Sequence, residues 1–207
     1  MAAPLPQAFE ATKNARVARA FNRSGGRGGL FSAEECDAVI RWAEATQSGW
    51  KRTLGADASD SPSERRIGVS DVSHSNRPTR AARDRDIGWL PRKLKEIGAS
   101  LNAQIWRFDV TGWSDVFLIR YGAGDRLAQH SDLNDDHCDF KITMLLQLSP
   151  ADAYDGGTLE FGAPSDMAAR EQGSLLAFPA WMPHRTAPIT AGKRYVAACF
   201  ALGPSFR

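Results

Sequence analysis

Apolar positions recur at two different periods along the chain, and the change between them divides it. Over 33–47, Cys36, Val39, Ile40 and Ala43 fall at helical spacing behind Ser32 and Glu35. That serine–glutamate pair is a capping box, in which each side chain serves a backbone N–H that a helix start leaves unpaired. The spacing predicts an amphipathic helix ended by Gly49. A second stripe, Ile87, Leu90, Leu94, Ile97 and Leu101, predicts a helix over about 87–103, with Arg92, Lys93, Lys95 and Glu96 on other faces. Pro91 fits that helix only within its first turn, which moves the start a few residues downstream. Between the helices, 55–64 reads as a loop and Ile67–Val72 as a short strand.

From Trp106 the period falls to two. Strands are predicted at Trp106–Val110, Asp115–Tyr121, Phe140–Leu148, Thr158–Phe161, Ser174–Phe178 and Arg194–Ala201, punctuated by Gly, Pro, Asn and Asp. The clearest is 140–148, where Phe140, Ile142, Met144, Leu146 and Leu148 take one face and Lys141, Thr143, Leu145 and Gln147 the other. Helices followed by many short strands predict a mainly β fold, a double-stranded β-helix (jelly roll) buttressed by N-terminal helices. The expected organisation is a flexible basic segment over 1–29 and one domain over 30–207. Its helical support covers about 30–105 and its jelly-roll core about 106–203.

Composition narrows the class. The 207 residues suffice for one domain, and 43% hydrophobic with 24% charged is the balance of a soluble globular protein. No stretch approaches the roughly 18 apolar residues of a spanning helix, and a net charge of +2 is too small to mark a nucleic-acid binder. Neither a membrane nor a nucleic acid is therefore an expected partner. Cys36, Cys138 and Cys199 are odd in number and widely spaced, which predicts reduced thiols and a cytoplasmic location. The leader carries Lys13, Arg16, Arg19, Arg23 and Arg27 against Glu10. It reads as a frayed tail joined through the Gly-rich 24–29, with an organelle transit peptide as the alternative.

Candidate chemistry gathers in the β half. His130 and Asp132 are two apart, so in an extended chain their side chains converge on one side. His184 is the downstream histidine able to complete a site from a distant strand. Two imidazoles and one carboxylate suit Fe(II) and leave an octahedral face open. Arg194 opens the last predicted strand, where a forked guanidinium can grip a ligand carboxylate. His137, beside Asp135 and Asp136, and His74, among Ser73, Ser75, Asn76 and Arg77, read as solvated loop histidines.

At these residues the sequence resembles the prolyl 4-hydroxylase-like branch of the iron(II)- and 2-oxoglutarate-dependent oxygenases. Tyr121-x-x-Gly124-x-x-Leu127-x-x-His130-x-Asp132 is similar to that family's run into its metal motif, with Leu127 where an aromatic is commoner. Asp155-Gly156-Gly157-Thr158-Leu159-Glu160-Phe161 resembles its Gly-Gly turn into a strand. Gly173 through Pro179, then His184, Pro188, Gly192 and Arg194, resemble its closing segment. The resemblance covers about 121–203.

It implies His130, Asp132 and His184 as iron ligands and Arg194 as the group that binds the distal carboxylate of 2-oxoglutarate. Lys193 is the rival for that role. Strand parity favours Arg194, which shares a face with Val196, Ala198 and Phe200. Tyr121 is implied near the iron or co-substrate. Gln147 stands where some relatives place a carboxylate-holding tyrosine, and Thr186 should face the same pocket as His184. Leu145 and Phe200 would wall the site. The implied cofactors are Fe(II), 2-oxoglutarate and O2, with ascorbate as reductant. The implied activity is hydroxylation of an unactivated C–H bond on a prolyl or other amino-acid side chain of a protein, peptide or small natural product. The presence of Asp132 argues against the halogenase branch. Six arginines between 65 and 85 lie where relatives carry a substrate-covering loop, and a merely solvated loop is the other reading. The competing functional class is a non-catalytic jelly roll that binds metal or carboxylate ligands as a sensor or interaction module.

Overall fold

The structure, a computed structural model, describes residues 8–11, 18–21, 30–45, 51–52, 63–67, 87–134, 137–161 and 170–206. Helix α1 (Ala33–Ala45) begins at the predicted box: the Ser32 N–H donates to Glu35 Oε2 at 2.9 Å, and the Glu35 N–H donates to Ser32 Oγ at 3.2 Å. Helix α2 (Trp89–Leu101) carries Pro91 as its third residue, where no intrahelical N–H is required. It runs on into a π-helical turn, Asn102–Trp106, which stops at Arg107 in the left-handed conformation (φ 56°).

The strand expected at Trp106–Val110 is absent. The Asn102 side chain competes for that backbone, accepting from the Phe108 N–H and donating to the Phe108 carbonyl, each at 2.9 Å. A side chain that satisfies both main-chain groups of one residue leaves no reason for that segment to join a sheet.

The strands in chain order are β1 (Ala8–Ala11), β2 (Ala18–Phe21), β3 (Lys51–Arg52), β4 (Ser63–Ile67), β5 (Gly112–Trp113), β6 (Val116–Tyr121) and β7 (Leu127–His130). They continue as β8 (Phe140–Gln147), β9 (Tyr154–Gly156), β10 (Leu159–Glu160), β11 (Leu175–Pro179), β12 (His184–Thr186), β13 (Ile189–Gly192) and β14 (Arg194–Leu202). The major sheet has the order β1-β2-β11-β8-β14-β6-β4-β3, with β5 also on β14. Two small sheets, β10-β12-β7 and β13-β9, form the opposing layer. This mainly β double-stranded arrangement is the jelly roll expected from the sequence.

Two differences bear on domain organisation. Residues 1–29, read above as a flexible segment, supply β1 and β2, and β2 adds to the edge of β11 with Ala18 fully buried. An edge strand offers unpaired N–H and C=O groups, and a leader segment of β-compatible alternation satisfies them. A short strand occupies Ser63–Ile67, paired with β6, and of the strand expected at Ile67–Val72 only Ile67 lies within the described residues. Residues 68–86, with His74 and most of the Arg-rich segment, lie outside the described residues, as does Gly49.

Parity sorts the major sheet into two faces. Leu118, Ile142, Met144, Leu146, Leu175, Ala177, Ala197 and Cys199 pack against Cys36, Val39, Ala43, Leu94, Ile97 and Leu101 of the helices. Fully burying one such leucine is worth about 1.5–3 kcal/mol. The helices therefore stiffen the outer face, and the inner face is left to build a site. Glu44 of α1 adds a polar anchor, accepting from Tyr195 Oη at 2.9 Å and pairing with Arg120 at 3.2 Å. Both faces of β8 are covered, so Lys141, Thr143 and Gln147 are buried along with its apolar positions.

Phe140 departs from the predicted face. The β8–β14 register pairs Ala201 with Ile142 but Leu202 with Phe140, so Lys141 is an extra residue in the ladder. Such a bulge reverses the alternation. It turns Phe140 inward, where it stacks on Phe200 with ring centroids 4.5 Å apart. Lys141 is buried with its ammonium 3.4 Å from the centre of the Phe206 ring.

Candidate metal centre and co-substrate pocket

The small sheet brings the two histidines together. Strands β7 and β12 are antiparallel with His130 directly opposite His184, so both imidazoles rise from one ladder position, 4.3 Å apart. A turn over Pro179–Met182, closed by the Met182 N–H on the Pro179 carbonyl, delivers the chain into β12. Asp132 lies just past β7, and the Leu133 N–H donates to the Ala180 carbonyl, tying its loop to that same turn. The Ser131 hydroxyl adds a bond to the Trp181 carbonyl at 3.1 Å.

The ligand atoms of His130, Asp132 and His184 all lie within 4.8 Å of one another. His130 Nδ1 sits 2.8 Å from the Ala128 carbonyl and His184 Nδ1 2.9 Å from the Met182 carbonyl. A carbonyl can only accept, so in the neutral rings Nδ1 carries the proton and Nε2 keeps its lone pair. Both Nε2 atoms face the carboxylate, at 3.5 Å and 3.6 Å from its two oxygens. A further contact, not singled out from the sequence, comes from Thr143 on β8, whose hydroxyl donates to Asp132 Oδ2 at 2.5 Å. Its inward parity, shared with Leu145 and Gln147, was the available signal.

Charge follows from this packing. Burial disfavours a charged Asp132, but hydrogen bonds from His130 and Thr143 and the charge of His184 outweigh it and hold its pKa below the usual value. Burial lowers the pKa of His184, with Asp132 opposing, and so favours the neutral ring. His130 is also disfavoured as a cation by burial, yet its bonds to Asp132 and to the Ala128 carbonyl win and raise its pKa. Two neutral nitrogens and one anionic oxygen, fixed by backbone and Thr143, are a donor set that fits Fe(II).

The second half of the site lies deeper between the layers. Arg194 opens β14 opposite Tyr121 of β6 and is buried, 6% exposed, whereas Lys193 is exposed. Arg194 Nε–H donates to Gln147 Oε1 at 3.1 Å, and Gln147 Nε2–H donates to the Ser149 carbonyl at 3.0 Å. Gln147 thus aims the arginine while still lining the same cavity with its second amide N–H. Tyr121 is buried with its ring centre 5.6 Å from the Arg194 guanidinium. Leu145, Leu159, Leu176 and Val196 supply apolar walls to the same cavity.

Arg194 forms no ion pair among the described residues, and its terminal nitrogens meet no protein acceptor there. A buried cation without a counter-charge is costly, so an anion at this position would be stabilised. The Gly-Gly turn lets the chain pass close to Pro188 and Ile189 beside the cavity. Gly156 (φ 74°) has no space for a Cβ, which would fall 2.2 Å from the Pro188 carbonyl oxygen, and at Gly157 (φ 65°) a Cβ would strike Ile189 Cδ1 at 2.3 Å.

Other expected residues fall as follows. Thr186 is buried on the His184 side of β12, while Arg185 between them points out to Glu160 at 2.6 Å. Leu145 lines the cavity, and Phe200 lies opposite Thr143 in the ladder. His137 is not in the metal cluster. It is half-buried and stacks on Phe140 at 4.6 Å, so it is a packed residue rather than the solvated one expected. All three cysteines are free, Cys36 and Cys199 buried and Cys138 exposed. Among the described residues no helix is long and apolar enough to cross a membrane.

Comparison with known proteins agrees with this geometry. Residues 116–202 match the family model of the 2OG-Fe(II) oxygenase superfamily. Over 87 residues, 40% of the chain, it is 33% identical to a PKHD-type hydroxylase from Parvibaculum lavamentivorans, covering 39% of that protein. The chain spans about two fifths of the length of the curated relatives it matches. Among solved structures it is similar in fold to a Pseudomonas putida prolyl-4-hydroxylase, with TM-score 0.61, 16% identity, and 84% and 89% of the two chains covered. It is also similar to a Trichoplax adhaerens prolyl hydroxylase in complex with a hypoxia inducible factor oxygen degradation domain peptide fragment, with TM-score 0.64, 15% identity, and 92% and 84% covered. With the His–Asp–His cluster and the buried Arg194 both inside the matched segment, the chain is similar, through residues 116–202, to the 2OG-Fe(II) oxygenase superfamily and has a prolyl 4-hydroxylase-like fold.

Proposed function

We propose that this protein is an Fe(II)- and 2-oxoglutarate-dependent hydroxylase that acts on an amino-acid side chain, with release of succinate and CO2. The observation that carries the reading is the pairing of the triad with a buried Arg194 that has no acidic partner among the described residues. His130, Asp132 and His184 would hold the iron, with Thr143 fixing the carboxylate. Arg194, aimed by Gln147 and flanked by Tyr121, would hold the far carboxylate of 2-oxoglutarate. The bound iron and co-substrate supply, with O2, an oxidant strong enough to hydroxylate a C–H bond.

The chain's own residues then do three things. The Nδ1–carbonyl bonds keep Nε2 of both histidines available without a proton on it. Leu145, Val196 and the wall around Leu176 keep water from the reacting centre. On the inner face beside Thr143, Phe200 meets Phe117 at 5.8 Å and Phe140 at 4.5 Å, an aromatic surface suited to an apolar ring. That surface and the prolyl hydroxylases of like fold support a prolyl residue of a peptide or protein as the substrate. A cytoplasmic location agrees with the free thiols.

The test is 2-oxoglutarate consumption with Fe(II), stimulated by proline-containing peptides, by free amino acids or by cell extract. Succinate formation that requires Fe(II) and disappears in His130→Ala supports the proposal. No turnover, together with no metal-dependent binding of 2-oxoglutarate, would leave a binding module in its place.

A further inference from the structure

The wall of the Arg194 cavity holds a tyrosine that the metal motif does not single out. Tyr154 on β9 is 3% exposed and packs with Tyr121, Ile189 and Val196. Among the described residues its hydroxyl has no hydrogen-bond partner. A buried hydroxyl left unpaired costs free energy that a protein ordinarily avoids, so the position calls for an acceptor that the described residues do not supply.

Its surroundings say which kind. The Arg194 guanidinium lies 5.9 Å from the Tyr154 ring centre and that of Arg170 4.4 Å. Arg170 is committed to the backbone, donating to the carbonyls of Ala151, Tyr154 and Gly156 at 3.1, 2.7 and 2.8 Å. It therefore fixes β9, and with it the tyrosine. Past Gly157 the tyrosine edge and the Arg194 stem run together: a Cβ there would lie 3.5 Å from Tyr154 Cε2 and 3.4 Å from Arg194 Cδ. Both side chains line one cavity.

We infer that Tyr154 is a co-substrate-specificity residue, its hydroxyl donating to the same carboxylate that Arg194 grips. This rests on the 2-oxoglutarate reading proposed above. Gln147 on β8 already spends one N–H on the Ser149 carbonyl and its oxygen on Arg194, whereas the Tyr154 hydroxyl on β9 is wholly uncommitted among the described residues. A hydroxyl at that end of the cavity adds selectivity for a five-carbon dicarboxylate over 2-oxo acids that end in a methyl group.

The test compares the wild-type chain with Tyr154→Phe, both loaded with redox-inert Mn(II), by calorimetric titration of 2-oxoglutarate and of 2-oxopentanoate, which lacks the distal carboxylate. The expected result is a Kd for 2-oxoglutarate raised about tenfold or more, as for a lost bond to a charged acceptor, with 2-oxopentanoate changed less than about twofold. In the ligand-free protein Tyr154→Phe should melt no lower than wild type, since it removes an unsatisfied group. Equal weakening of both ligands, unchanged 2-oxoglutarate affinity, or a lower melting temperature without ligand would each overturn the assignment. If wild type itself fails to bind 2-oxoglutarate, the hydroxylase reading falls with it; if only the variant comparison fails, that reading stands.

Discussion

Replacing Thr143 by valine isolates one contact of the proposed metal site. The side chain keeps its branching and nearly its size, and the hydroxyl that donates to Asp132 Oδ2 is lost. Of the contacts the carboxylate makes among the described residues, this one is at 2.5 Å, while the imidazole nitrogens stand off at 3.5 and 3.6 Å. Asp132 is therefore aimed mainly by Thr143, and its side chain is only 14% exposed, so water replaces the bond poorly. A hydrogen bond to a charged acceptor is worth about 1.5–3 kcal/mol, and loss of a group that orients a metal ligand weakens metal binding about 10–100-fold.

The variant should thus bind Mn(II) or anaerobic Fe(II) at least about tenfold more weakly in equilibrium dialysis, and Thr143→Ser should recover most of the loss. A second readout follows from charge. The Thr143 bond helps hold the Asp132 pKa down, so in the valine variant metal should be released at a higher pH on acidification. Metal affinity equal to wild type in Thr143→Val would refute the positioning role. A serine variant as weak as valine would show that shape, not the hydroxyl, matters there.

Arg194→Ala should weaken 2-oxoglutarate binding by about 1.5–3 kcal/mol through loss of a charge-assisted bond, while exposed Lys193→Ala should change it little; the opposite ranking in a titration would reverse the assignment. Metal affinity should fall with pH from above the ordinary histidine range, because the raised pKa of His130 lets a proton compete for Nε2; Kd values flat between pH 8 and about pH 6 would contradict this. Without metal the sign reverses, since a raised histidine pKa contributes stability at low pH that is lost as pH rises through its folded value. Under native conditions a maleimide should modify exposed Cys138, whereas Cys36 and Cys199, pushed by burial to about 12 and about 11, should react only on unfolding; mass spectrometry of the labelled thiols decides it.

The parts of this molecule that were legible are those where one residue's chemistry sufficed. The capping box, the helical stripes and the inward positions of β8 and β14 follow from spacing alone, and the same parity places Arg194 inside and Lys193 outside. Where two distant segments negotiate, spacing says less. Phe140 obeys the period-two pattern in sequence, but one extra residue in the ladder reverses it. Trp106–Val110 has strand-like alternation, yet an asparagine four residues upstream of Trp106 takes its hydrogen bonds. The segment before residue 30 reads as tail because its strands are short, and their value lies in the edge of β11 that they cover.

The same distinction explains why the metal ligands were readable and their supports were not. Metal ligands come from a short list of residue types, and with 4 histidines in the chain the choice of imidazoles was narrow. Thr143, Gln147 and Arg170 act by holding another group, a task open to many residue types, so their identity carries little signal. What reveals them is accounting for polar groups. Thr143 meets a carboxylate, Gln147 has both ends of its amide engaged, and Arg170 meets three carbonyls. After that accounting, the Arg194 terminus and the Tyr154 hydroxyl are buried donors in the cavity that meet no acceptor among the described residues. They line the same space, which is what a protein holding one end of a dianion requires.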